Sequence, residues 1–86
     1  MEINHKIIVV TGAGSGIGKA LVNKFVAEGA EQVIAVDINA ANAAATADAN
    51  ACLAMTADVA CEADMIRVID DVESQVGPID LFCSNA

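Results

Sequence analysis

A short apolar strand that runs straight into a glycine turn and then into a helix constrains this chain of 86 residues more than any other feature. The stretch is Val9-Val10-Thr11-Gly12-Ala13-Gly14-Ser15-Gly16-Ile17-Gly18-Lys19. The run from Ile7 to Val10 is β-branched and unbroken, as in a strand covered on both faces, and the segment from Gly16 onward has helical spacing. Backbone N–H groups at a helix start have no partner inside the helix and sit at the positive end of its dipole. A diphosphate fits there when no side chain blocks the approach.

The glycine spacing separates three kinds of phosphate cradle. The fingerprint G-x-G-x-x-G needs a third glycine where Ile17 or Lys19 stands, and fails in its strict form. The pattern G-x-x-x-x-G-K-[ST] around Gly18-Lys19 needs glycine at Ala13 and a hydroxyl at Ala20, so no magnesium ligand is present. The pattern that fits is T-G-x-x-x-G-x-G at Thr11, Gly12, Gly16 and Gly18, with Gly14 as an extra. It resembles the short-chain dehydrogenase/reductase family. The resemblance implies that Gly12, Ser15, Gly16, Ile17 and Gly18 form the diphosphate turn of a dinucleotide site, with Thr11 and Gly14 shaping it.

After the first helix, Glu31 to Asp37 reads as a second buried strand ending in a carboxylate. It lies about 20 residues beyond the turn, the spacing of a ribose ligand. A carboxylate accepts hydrogen bonds from the 2′- and 3′-hydroxyls of the adenosine ribose, whereas a 2′-phosphate would meet like charge. Asp37 therefore favours NAD. Family enzymes that use NADP often carry arginine or lysine at the positions matched here by Ala13 and Ile38, and Ile38 is counted with the cofactor-binding residues. An aspartate that only solvates a strand end remains the alternative.

Strand and helix patterns alternate along the chain without linkers or repeats, which predicts a parallel sheet. A helix over 16–28 carries Ile17, Leu21 and Phe25 at helical spacing, closed by Gly29. The alanine-rich stretch 39–50 predicts a short, weakly anchored helix capped by Asn39. Residues 51–56 read as a third strand. A helix over 61–75 follows, with Met65, Ile69, Val72 and Val76 along one stripe, and Gly77-Pro78 stops it. A fourth strand spans 79–86. Right-handed crossovers then give a partial Rossmann-like α/β fold, strand order 3-2-1-4, with two helices on one face and the third on the other. The fourth strand is an open edge that invites pairing with another chain, so a homo-oligomer is expected.

By the same resemblance, Asp58 accepts from the adenine amino group and the Val59 N–H meets the ring. Read alone, Asp58 is an aspartate in a loop before a helix, where it stabilises exposed N–H groups. Asn85-Ala86 resembles the start of the family's N-A-G motif, with Ser84 in place of the usual preceding asparagine. That puts Asn85 beside a cofactor ribose. Family enzymes place a serine and a Y-x-x-x-K pair well beyond this point. The chain has no tyrosine, neither Ser15 nor Ser84 takes the catalytic serine's part, and His5 reads as structural. No catalytic residue is assigned.

Composition agrees. A formal net charge of −8 argues against nucleic acid or an anionic membrane surface as partner. Three cysteines, Cys52, Cys61 and Cys83, lack C-x-x-C pairing, so neither a disulfide framework nor a metal site is expected, and they read as small core residues. No long apolar run follows the amino terminus, so a cytoplasmic protein is expected. Together these readings describe residues 1–86 as the amino-terminal part of one NAD-binding Rossmann domain, its catalytic part absent and the chain alone inactive. The parent would be an oxidoreductase transferring hydride between nicotinamide and a small hydroxyl or carbonyl substrate. The alternative is a non-catalytic nucleotide-binding module or a truncated product.

Overall fold

A computed structural model describes residues 2–85 of the chain. The elements follow in the order β1 (Ile7–Thr11), α1 (Gly16–Ala27), β2 (Gln32–Asp37), α2 (Ala40–Asn50), β3 (Leu53–Thr56), α3 (Glu62–Gln75) and β4 (Leu81–Cys83). All strand pairs are parallel and the sheet order is β3-β2-β1-β4. With right-handed crossovers this order places α1 and α2 on one face and α3 on the other. The chain first moves outward through β2 and β3, then returns past β1 to β4. Every strand therefore ends on the same edge, and the chain reverses direction beside β1.

The sheet is covered on both faces, and the side-chain period of two divides its residues between them. Ile8, Val10, Val33 and Ala35 pack against Val22 and Phe25 of α1 and Ala47 of α2. Ile7, Val9, Ile34 and Val36 face Val68 and Val72 of α3. β1 is buried throughout because it lies between two strands and two helical layers. Asp80 locks β4 to it: its Oδ2 accepts from the Ile7 N–H at 2.8 Å, and its own N–H donates to the Ile7 carbonyl at 2.9 Å.

Several local expectations shift. On α1 the buried residues are Gly18, Val22 and Phe25, while Ile17 is 71% exposed. The helix is rolled so that Gly18 presses on the glycine turn, which carries the neighbouring Ile17 out toward solvent. On α3, Val68 takes the central buried place expected of Ile69, which is exposed. β3 begins at Leu53 because Ala51 turns into the left-handed region (φ 55°) to close α2, and Cys52 N–H donates to the Ala47 carbonyl at 2.8 Å. β4 is three residues long, and Ala86 lies outside the described residues. Asn39 caps α2 as expected, its side chain accepting from Asn42 N–H at 3.0 Å. Cys52 and Cys83 pack half-buried against the face shared with α1 and α2, and burial pushes both thiols up. Cys61 is not a core residue: it is the N-cap of α3.

β3 is an exposed edge, with Leu53 nearly half accessible. Arg67 on α3 reaches across it, its Nη2 donating to the Thr56 carbonyl at 2.8 Å. A charge at an edge strand discourages pairing with a foreign strand. Among the described residues no helix is long and apolar enough to cross a membrane.

Candidate functional site

The glycine turn lies at the carboxyl edge of β1, where the chain reverses direction, and two structural reasons account for three of its glycines. Gly12 (φ 62°) and Gly16 (φ 58°) occupy the left-handed region that side chains disfavour. Gly18 has an ordinary helical backbone, but a Cβ there would strike the Gly12 carbonyl and come within 2.9 Å of Asn85 Nδ2. The space around Gly16 is open, with nothing within 4 Å of where a Cβ would stand. Ala13 anchors the turn, its N–H donating to the Val36 carbonyl at 3.0 Å.

The start of α1 differs from the other two helix starts. α2 is capped by a side chain, and α3 carries Glu62 and Asp64 in its first turn. α1 has neither: the Ser15 side chain forms no cap and the first turn holds no carboxylate. Its leading N–H groups, including those of Ile17 and Gly18, have no partner within the helix and lie at the positive end of its dipole. This surface fits a diphosphate.

Asp37 stands where the reading from spacing put a ribose ligand, at the end of β2 and next to the turn. Its Oδ2 accepts from Gly14 N–H at 2.9 Å and its Oδ1 from Asn39 N–H at 2.9 Å. A carboxylate offers about four lone-pair sites, so about two remain for a ligand. Gly12, Asp37, Ile38, Ala57, Asp58 and Val59 line a cleft of about 110 Å³ beside it. A larger hollow of about 140 Å³, between β3 and α3, contains none of these residues. The exposed side chains of Ile38 and Val59 give the cleft apolar surface suited to a flat ring.

Asp58 is engaged within its own loop. Its Oδ1 accepts from Ala60 N–H at 2.9 Å, and its N–H donates to Asp64 Oδ2 at 2.9 Å. The loop reading of Asp58 thus describes a real contact, while Asp58 also lines the cleft. Asn85 reaches the turn from β4: its N–H donates to Thr11 Oγ1 at 3.0 Å, and that hydroxyl donates to the Cys83 carbonyl at 3.3 Å. Thr11 is fully buried, so it links the end of β1 to the chain leaving β4. The turn, Asp37, Ile38, Asp58, Val59 and Asn85 thus gather along one edge of the sheet. Sequence reasoning did not single out Ala57 in the cleft wall or the hold of Gly14 and Asn39 on Asp37. Backbone donors carry no residue signature. Among the described residues no group of three or more His, Cys, Asp or Glu side chains could hold a metal ion.

The family model for short chain dehydrogenases matches residues 6–86. The 3-phenylpropionate-dihydrodiol/cinnamic acid-dihydrodiol dehydrogenase of Escherichia coli (strain K12 / DH10B) is 37% identical over 87 aligned residues, covering 99% of this chain and 32% of that protein. A crystal structure of a hydroxysteroid dehydrogenase from Escherichia coli superposes with a TM-score of 0.88 at 30% identity, covering 94% of this chain and 35% of the other. A crystal structure of a ribose-5-phosphate isomerase from Brucella melitensis 16M gives 0.93 at 34% identity, covering 99% of this chain and 33% of the other. The chain thus spans about a third of the length of these proteins. Their names come from two reaction classes, so function has to be argued from the site.

Proposed function

The chain belongs to the short-chain dehydrogenase family, and from that premise we propose that it is the NAD-binding part of an oxidoreductase acting on a hydroxyl or carbonyl group. The observation that carries the proposal is the Asp37 carboxylate, held by two backbone donors at the mouth of a cleft that continues to Ile38, Asp58 and Val59. Its remaining lone pairs face a position where a ribose diol donates and a 2′-phosphate is repelled. The uncapped start of α1 supports a diphosphate in the adjoining turn, and Gly12 and Gly16 keep its backbone exposed to that ligand. Ile38 and Val59 flank the adenine, and Asp58 accepts from its amino group. Asn85 lies beside a cofactor ribose. When bound, the nicotinamide accepts or delivers the hydride.

On this reading residues 1–86 form the amino-terminal part of a single dinucleotide-binding domain, and no catalytic residue lies among them. The small-molecule substrate binds elsewhere in the parent protein. We further propose a cytoplasmic protein, from the free cysteines.

The test is Asp37→Ala combined with Ile38→Arg, read by titrating ADP-ribose against its adenosine 2′-phosphate derivative. Removing the like charge and adding a cation should move preference toward the phosphorylated ligand by about tenfold or more. An unchanged preference refutes the ribose assignment.

A further inference from the structure

Gly14 is not among the positions that define T-G-x-x-x-G-x-G, and its backbone does not require glycine, because its φ is not positive. Its surroundings do. A Cβ on Gly14 would stand 2.6 Å from Asn42 Cβ, 2.9 Å from Asp37 Oδ2 and 3.0 Å from Asp37 Cγ. Carbon atoms pack best at about 3.5–4.0 Å, so an added methyl must displace the carboxylate, the first turn of α2, or both. Gly14 N–H meanwhile donates to that same carboxylate oxygen.

These contacts form a closed circuit. Gly14 holds Asp37 Oδ2, Asn39 N–H holds Oδ1, Asn39 Oδ1 caps α2 at Asn42 N–H, and Asn42 Cβ lies against Gly14. Each carboxylate oxygen is aimed by a separate strand-to-helix connection, one after β1 and one after β2. A carboxylate free to rotate would have to be ordered by the ligand, and that ordering weakens binding.

We infer that Gly14 is a positioning residue for ribose recognition: its missing side chain and its N–H hold the Asp37 carboxylate in the ribose-accepting orientation before ligand arrives. This inference rests on the proposed role of Asp37. It adds a specificity position that lies in the phosphate turn yet acts on the ribose.

The test is binding of ADP-ribose and of its 2′-deoxyadenosine counterpart to the whole chain, in wild type, Gly14→Ala and Asp37→Ala. Wild type should prefer the ligand with the 2′-hydroxyl by about tenfold, the loss expected for one hydrogen bond to a charged group. Gly14→Ala should bring that ratio close to one, as Asp37→Ala does. A general weakening of the fold would lower both affinities and leave the ratio alone. If Gly14→Ala does not fold, the double variant Gly14→Ala/Asn42→Gly removes the clash with α2 and keeps the one with Asp37, so it carries the same readout. A wild-type ratio in a folded Gly14→Ala, or its return in the double variant, overturns the inference while leaving the Asp37 reading in place. An Asp37→Ala variant with a wild-type ratio, or a wild-type chain that does not bind ADP-ribose, overturns both.

Discussion

Gly18→Ala sets helix propensity against packing at one atom, and the two effects have opposite signs. Gly18 lies inside α1 with an ordinary helical backbone, so propensity alone makes the alanine variant more stable by about 1 kcal/mol. The added methyl, however, would overlap the Gly12 carbonyl oxygen, stand 2.6 Å from the Gly12 carbonyl carbon and 2.9 Å from Asn85 Nδ2. The carbon contact falls roughly 1 Å short of the usual packing distance. Two of the opposing atoms belong to the backbone of a turn already in a left-handed conformation, so they cannot rotate aside as a flexible side chain would. Overpacking of this kind costs about 1–3 kcal/mol, and a rigid neighbour argues for the upper end. Packing should therefore win, with a net loss of about 1–2 kcal/mol. For a domain of this size that lowers the melting temperature by about 5–15 °C. Thermal and urea unfolding by circular dichroism would measure it. Ala20→Gly, at an exposed position of the same helix, calibrates the propensity effect in place. A Gly18→Ala chain that melts at or above wild type would refute the argument, because it would mean the turn has room to move.

Thr46 is fully buried on α2, and among the described residues its hydroxyl oxygen has no hydrogen-bond partner. Thr46→Val keeps the shape and removes the stranded polar atom, so the urea midpoint should rise by the equivalent of about 1 kcal/mol; a lower midpoint would show that the hydroxyl is satisfied in solution. Burial raises the Cys52 and Cys83 thiols, so the folded chain keeps those protons at a higher pH than the unfolded chain does. The associated stability is present below the unfolded thiol range and is lost as pH rises through the folded one. The alkaline decline should flatten in Cys52→Ala/Cys83→Ala relative to its own neutral value, and an identical slope would discount the thiols. The open β4 edge and the limited core that 86 residues can bury predict marginal stability with self-association for the isolated chain. Sedimentation should show mass rising with concentration, and a monomer with a concentration-independent melt above the mesophile range would count against it.

The strand and helix alternation, the glycine turn, the Asn39 cap and the carboxylate closing β2 were all legible in the sequence. Each depends on residues within one turn or one strand length of each other. Sheet order followed as well, because the handedness of crossovers leaves few choices. The tertiary structure decided which way each helix rolls on the sheet. Ile17 and Gly18 both suit an apolar helix face, and only the closeness of α1 to Gly12 turns Gly18 inward. It also decided the partners of the polar groups. The Gly14 N–H reaches a carboxylate 23 residues away, and the Asn85 N–H reaches a hydroxyl 74 residues away. Such pairings leave no periodic or compositional trace. They depend on where two crossovers end in space, which no local window of residues contains.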